Sequence, residues 1–275
     1  MDFTVYPGSR IARLPRLLHG PALALRNITR AWHAAISDGR TASSRVPRGF
    51  AWAGDGLATS HFSPFLGDAR FNELYARMVE HWSLGKSELA PDVRWRLWVL
   101  TSLARGVAHL PGAFAEFGVF RGGFAFMILA TCPRLRHGFY LFDTFEGIPA
   151  SRLTEAEEEH QLAGRGFETS VEDVSRFLAA WHDDVRIVKG DVFETLSRHE
   201  TGPLAFCHVD LNVAAATRVA LEYAYPRLLP GATMIFDDYG WSGYEDQRQV
   251  IDQFFSNKPE PLVALPTGQA AVFKR

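Results

Sequence analysis

Two apolar runs in this 275-residue chain end in carboxylates. Phe206-Cys207-His208-Val209 leads into Asp210, and Met234-Ile235-Phe236 leads into Asp237-Asp238. Such runs read as buried strands, and an open α/β sheet binds its ligands beyond the carboxyl ends of the strands. Three acids brought there from two strands offer oxygen ligands to one hard divalent cation, as Mg²⁺ prefers. Asp210, Asp237 and Asp238 are therefore the candidate metal ligands. Strand-end Asp also caps helices, but a third acid adds repulsion that capping does not require.

A second constellation lies upstream. Glu116-Phe117-Gly118-Val119-Phe120-Arg121-Gly122-Gly123 sits where a strand should turn into a helix, and glycine there lets backbone approach a ligand. The spacing is not G-x-G-x-x-G, so a dinucleotide pyrophosphate fits poorly, and Glu116 would repel one. An acid at that point suits a cationic ligand such as a sulfonium carrying an ammonium group. Arg121 and the amides of Gly122 and Gly123 would take its carboxylate. The same glycines also serve tight strand-to-helix packing. The next strand ends in Asp143, 25 residues past Gly118, near the spacing at which an acid meets the ribose of a bound nucleoside. Thr144 and Phe145 follow, with Phe145 placed to pack on the nucleoside. In Gly190-Asp191-Val192, Asp191 could accept from an adenine amino group or stabilise its own turn.

The elements that position these residues follow from periodicity. Asp68 can cap a helix whose apolar face is Phe71, Leu74, Tyr75, Met78, Val79 and Trp82, ended by Gly85. A second helix runs from Pro91 through Trp95, Trp98, Val99 and Leu103 to about His109. Short strands near 113–119, 137–143, 185–189, 204–210 and 232–237 then alternate with helices at 122–132, 171–182, 214–228 and 245–256. A closing hairpin joins Leu262–Leu265 to Ala270–Phe273 through Thr267-Gly268-Gln269. The fold expected is α/β and Rossmann-like: a doubly wound, mostly parallel seven-stranded sheet with an antiparallel C-terminal hairpin strand, plus an N-terminal helical extension. Residues 150–170, with Glu155, Glu157, Glu158 and Glu159, read as a mobile lid over the strand tips.

Composition bounds the rest. A hydrophobic fraction of 47% supports a sizeable core, and a net charge of −2 argues against a nucleic-acid binder. No apolar run reaches the roughly 20 residues of a membrane helix. Cys132 and Cys207 form no C-x-x-C, so zinc is not expected and a reducing cytoplasm is. From Met1 to Phe50 there are eight Arg residues against Asp2 and Asp38. That pattern permits a short amphipathic helix; it is unlike a signal peptide, whereas Arg-rich, acid-poor starts resemble transit peptides and such helices can also lie on anionic membranes. Residues 1–65 are expected to form an arm over the active site or a subunit partner, and 66–275 the main domain. A homo-oligomer is expected.

Together, Gly118 to Gly123, Phe142 to Pro149, Gly190-Asp191 and above all Val209 through Gly240 resemble the class I S-adenosylmethionine-dependent methyltransferases. Tyr225-Pro226-Arg227-Leu228-Leu229-Pro230-Gly231 followed by Phe236-Asp237-Asp238-Tyr239-Gly240 is similar to the macrocin-type O-methyltransferases, which methylate sugar hydroxyls of macrolides and related natural products with Mg²⁺. The resemblance covers about residues 110–275 and implies metal ligation by Asp210, Asp237 and Asp238. It also implies cofactor contacts from Glu116, Gly118, Asp143, Asp191 and Asp210, with Phe117, Thr144, Phe145, Gly190 and Val192 beside them. A small-molecule acceptor, a sugar, phenol or other natural-product hydroxyl, is the expected partner.

One departure bears on mechanism. The family pattern is Asp-x-Asp-x-Tyr, its second Asp helping to deprotonate the substrate, whereas this chain reads Asp210-Leu211-Asn212-Val213-Ala214. Asn212 cannot act as a base. Asp210 and His208 are the remaining candidates for proton handling, although strand alternation is expected to turn His208 to the opposite face. The departure also keeps open a same-scaffold enzyme of different chemistry, similar to the cephalosporin hydroxylase-like proteins, or a nucleoside-binding protein without turnover.

Overall fold

The computed structural model of the chain describes residue 46 and residues 49–83, 92–132, 135, 137–160 and 169–275. The Arg-rich segment to residue 45, the expected helix ends at Gly85 and Pro91, and the second half of the expected lid fall outside the described residues. Residues 49–275 belong to one compact unit. It opens with a hairpin of β1 (Trp52–Gly54) and β2 (Leu57–Thr59), a feature the periodicity did not reveal. Trp52 and Phe65 of this stretch are buried in the core.

Helix α1 (Ala69–Ser83) begins where expected, with the Phe71 amide donating to Asp68 Oδ1 at 2.9 Å. Its buried side chains Phe71, Leu74 and Met78 repeat at helical spacing. Helix α2 (Arg94–Val107) buries Leu97, Leu100, Ala104 and Val107, and also Arg96.

The main sheet has seven strands. The parallel members are β3 (Ala113–Phe117), β4 (Phe139–Asp143), β5 (Val185–Lys189), β6 (Leu204–Val209) and β7 (Leu228–Phe236). The edge beyond β7 is antiparallel, formed by β8 (Val263–Ala264) and β9 (Ala270–Phe273), in the order β5-β4-β3-β6-β7-β9-β8. Every residue of β3 and β6 is buried because helices cover both faces, as a parallel sheet requires. One face packs α1, α2 and α3 (Gly123–Thr131), and the other packs α7 (Ala214–Ala224) and α8 (Glu245–Phe255). The expected doubly wound α/β fold is thus the observed one.

Local differences have simple causes. The helix expected over 214–228 ends at Ala224; Pro226 sits in a 3₁₀ turn, Tyr225–Arg227, and β7 starts directly after it. The expected lid holds α4 (Glu155–Glu159), whose Thr154 and Glu157 form a reciprocal capping box. The stretch after 170 carries α5 (Val171–Phe177), and α6 (Val192–Thr195) follows β5. Both cysteines are free thiols. Among the described residues no helix is long and apolar enough to cross a membrane.

Candidate active site at the strand tips

The strand order reverses between β3 and β6, the place where doubly wound sheets bind ligands. The chain leaves β3 through Gly118 at φ +89°, where a Cβ would collide with the carbonyl of Asp210, the residue that leaves β6. The loop turns on through Phe120 at φ +50° and Gly122 at φ +74° into α3. A Cβ on Gly123 would meet the Trp82 indole, so packing by α1 accounts for that glycine. His81 Nε2 lies 3.0 Å from the Arg121 carbonyl, and Arg121 Nη1 donates to the Trp82 carbonyl at 2.9 Å. The C-terminal turn of α1 therefore braces the glycine loop, a contact the helix pattern alone did not disclose.

Asp143 closes the same loop from β4. The amides of Val119 and Phe120 donate to its Oδ2 at 2.6 and 2.8 Å, and that of Phe145 donates to Oδ1 at 2.7 Å. Thr144 Oγ1 donates to the Gly147 carbonyl, and Phe145 is buried at φ +57°. Asp191 caps α6 through the Phe193 amide and pairs with Arg152 Nε at 2.9 Å. Gly190 turns at φ +136°, and its neighbour Val192 is buried. Phe117 is committed to the core, stacked on Phe142 with ring centroids 5.2 Å apart.

The acids converge as their strand ends suggest, with two additions. Glu116 and His208 are register partners on β3 and β6, fully buried, with His208 Nδ1 2.8 Å from Glu116 Oε1. His208 Nε2 lies 3.4 Å from Asp237 Oδ1. His208, Asp210 and Asp237 each place a ligand atom within 4.8 Å of the others. This corrects the expectation for His208: residues two apart in a strand share a face, so it lies with Asp210 rather than opposite it.

The second addition is Arg96. From α2 its Nη1 donates to Asp237 Oδ2 and, at 3.0 Å, to Asp238 Oδ1; its Nε donates to Asp55 Oδ2 at 2.9 Å. Asp55 occupies the tip of the β1–β2 hairpin at φ +47°. The guanidinium carbon lies 5.3 Å from the centroid of the Trp241 ring. Arg96 and Asp55 belong to no motif of the sequence, yet Arg96 stands four residues before Leu100 on the buried stripe of α2, a legible anomaly. Gln269 from the C-terminal hairpin completes the shell, its Nε2 donating to Asp237 Oδ1 at 2.8 Å.

These neighbours set the protonation states. Burial pushes Asp55 and Asp238 up to about 6 despite Arg96. For Asp237 burial is outweighed by the Arg96 and His208 charges, which hold the carboxyl below its usual range. Burial would lower His208, but hydrogen bonds to Asp237 and Glu116 raise it to about 10. Asp210 is raised well above the carboxylate range by burial and by the Asp237 and Asp238 charges. It has no ion-pair partner among the described residues; Asn212 Nδ2, from a residue at φ +63°, stands 3.5 Å from its Oδ1. A partly buried Asp210 beside the buried Asp237 and Asp238, with five acids facing Arg96 and His208, is a donor set that fits a divalent cation.

Glu157 connects the 150–160 segment to this site. Its Oε1 accepts from the Ala214 amide at 2.7 Å, capping α7 two residues after Asn212, while Oε2 accepts from Thr154. Thr154 Oγ1 also donates to Asp246 at 2.6 Å. Tyr239 turns outward to Asp252 at 2.7 Å, leaving Trp241 as the aromatic beside the acids.

Residues 94–266 match the macrocin O-methyltransferase (TylF) family. The chain belongs to that family. It is 32% identical over 161 residues to 8-demethyl-8-(2,3-dimethoxy-alpha-L-rhamnosyl)-tetracenomycin-C 4'-O-methyltransferase of Streptomyces olivaceus, covering 54% of this chain and 59% of that protein. It is 30% identical over 146 residues to mycinamicin III 3''-O-methyltransferase of Micromonospora griseorubida, covering 47% and 56%. The match thus spans less than two thirds of either relative. The fold is shared with the O-methyltransferase NovP, at a TM-score of 0.59 and 24% identity over 65% of this chain and 79% of NovP. The macrocin family match includes Arg96, the glycine loop and all three strand-end acids.

Proposed function

We propose that the chain is an S-adenosylmethionine-dependent O-methyltransferase acting on a hydroxyl of a sugar or related natural product, with Mg²⁺ as its metal. The observation that carries this reading is the meeting of the Asp143-closed glycine loop with the Asp210–Asp237–Asp238 cluster at one reversal of strand order, in a chain of the macrocin O-methyltransferase family. Both relatives are named as O-methyltransferases, one of a rhamnosyl-bearing tetracenomycin and the other of mycinamicin III, which supports the acceptor class.

Asp210, Asp237 and Asp238 would hold the metal. Asp143, Asp191 and the loop from Gly118 to Gly123 would hold the cofactor, with Arg121 suited to its amino-acid carboxylate and the Glu116 side of the cluster suited to its positive charges. Bound together, the cofactor supplies an electrophilic methyl group and the cation lowers the pKa of a hydroxyl beside it. The chain's own task is then to orient the acceptor, exclude water and take up one proton. Asp210 is assigned the proton: it is the one strand-end acid of the cluster with no ion-pair partner among the described residues, and Asn212 cannot accept a proton. His208 is already shared between Glu116 and Asp237 and acts by fixing Asp237. Orienting reacting groups in this way can contribute about 7–11 kcal/mol to lowering a barrier.

Calorimetric titration with S-adenosylmethionine, first with Mg²⁺ and then with EDTA, tests the reading. Micromolar binding is expected, and glycosylated acceptors should then be methylated with Mg²⁺ and not with EDTA. No binding in either buffer would undo it; full turnover in EDTA would remove the metal from it.

A further inference from the structure

Arg96 has a position that the methyl-transfer reading does not explain. Its guanidinium is buried, and its Nη1 holds both Asp237 and Asp238, two of the three acids that would ligate the cation. A carboxylate oxygen engaged by an N–H has fewer lone pairs to give a metal, and a fixed positive charge beside the site repels a second cation. Helix α2 itself carries no acidic residue with which Arg96 could pair. Here the side chain instead spans two anionic seats, with Nε on Asp55 at 2.9 Å and Nη1 on the acid pair. The flat face of Trp241 lies beside the guanidinium, and the hairpin tip is packed onto the same ring: a Cβ on Gly56 would stand 3.1 Å from it. Asp55 is thereby held within reach of Arg96 from a part of the chain remote from the acids.

We infer that Arg96 is a resident cation of the acid site, competing with the divalent ion for Asp237 and Asp238, and that Asp55 is the seat which holds Arg96 when the ion binds. The inference rests on the cation reading of this cluster. Arg96 is then a positioning residue: in the metal-free protein it keeps the mutually repelling Asp237 and Asp238 in place, and it makes cation uptake weak and exchangeable. Asp210, Asp237 and Asp238 would hold the divalent ion, and the guanidinium would then give up the acid pair with no covalent bond of the chain made or broken. Arg96 retains its contact with Asp55.

The two residues should therefore move cation affinity in opposite directions. In Mn²⁺ titrations followed by electron paramagnetic resonance, without S-adenosylmethionine, Arg96→Met should bind Mn²⁺ about tenfold or more tightly than the wild type. Arg96→Lys, which keeps the charge, should stay near wild type. Asp55→Asn leaves the guanidinium less neutralised and should weaken Mn²⁺ binding several-fold. A structural role alone would weaken binding in both variants. Unchanged or weaker binding in a folded Arg96→Met protein overturns the inference. If that variant does not fold, unchanged or tighter binding in Asp55→Asn overturns it. Absence of Mn²⁺ binding in every variant also overturns it, together with the metal part of the proposed function. Failure of the methyltransferase reading itself shows separately, as no heat with S-adenosylmethionine in any of these proteins.

Discussion

Gly118 and Asp210 leave adjacent parallel strands so close together that a Cβ on Gly118 would occupy the place of the Asp210 carbonyl oxygen. The glycine loop and the first acid of the cluster are consequently one packed unit. Gly118→Ala must both adopt φ +89° and push β6 away from β3. It should cost about 2–4 kcal/mol of stability, read as a lower urea midpoint at constant m-value. An unchanged midpoint would mean that the loop can move away from β6 freely.

The carboxylate of Asp143 accepts three backbone amides, from Val119, Phe120 and Phe145. Asp143→Asn replaces one acceptor oxygen by a donor facing those amides. Unfolding should become easier by about 1–3 kcal/mol, the usual range for an unsatisfied buried hydrogen bond. S-adenosylmethionine affinity, measured by calorimetry at a temperature where the variant is folded, should fall at least about tenfold because the loop is no longer preformed. Wild-type affinity in this variant would remove Asp143 from the cofactor site.

Glu157 caps α7 from outside that helix and closes its own capping box with Thr154. Glu157→Gln keeps the shape and removes the charge at the α7 N-terminus, for an expected loss of about 1 kcal/mol. Hydrogen exchange should quicken at 154–160 and at 214–217 together. Faster exchange in one segment alone would show that Glu157 does not couple them.

Acid sensitivity should appear far from the site, at Glu260. Its Oε2 accepts from the Tyr225 hydroxyl at 2.7 Å, and its Oε1 lies 3.2 Å from both the Arg275 amide and Lys274 Nζ. Burial opposes the charged form, but these donors prevail and pull the carboxyl from the ordinary 4.5 to about 2. The folded value lies below the unfolded one, so this contribution is present in full above pH 4.5 and fades as pH falls toward 2. The difference in Tm between wild type and Glu260→Gln should be largest at neutral pH and shrink over that window. A difference independent of pH would assign the effect to packing instead.

Much of this was legible from residue order. Near-continuous apolar runs with acids at their ends are what parallel strands buried on both faces look like, so β3, β4, β6 and β7 and the carboxylates Asp143, Asp210, Asp237 and Asp238 could be read without coordinates. The Asp68 cap and the apolar stripe of α1 were equally local signals. By contrast, α4 and α6 are too short to show a period, and the two three-residue strands of the N-terminal hairpin carry no alternation to count.

The composition of the acid site was decided by tertiary structure. Arg96 reaches Asp237 across 141 residues of sequence, and Asp55 arrives from a hairpin outside the main sheet. Local pattern marks a charged residue on a buried stripe as unusual but does not name its partner, because pairing is fixed by how helices and strand ends pack. His208 lay within reach of sequence reasoning, since strand alternation puts it on the face of Asp210; its sharing between Glu116 and Asp237 required the neighbouring strands in register. Sequence periodicity determined which elements form and which carboxylates end them. Only the folded sheet, by bringing three strands, a helix and a hairpin tip to one point, decided which charges meet.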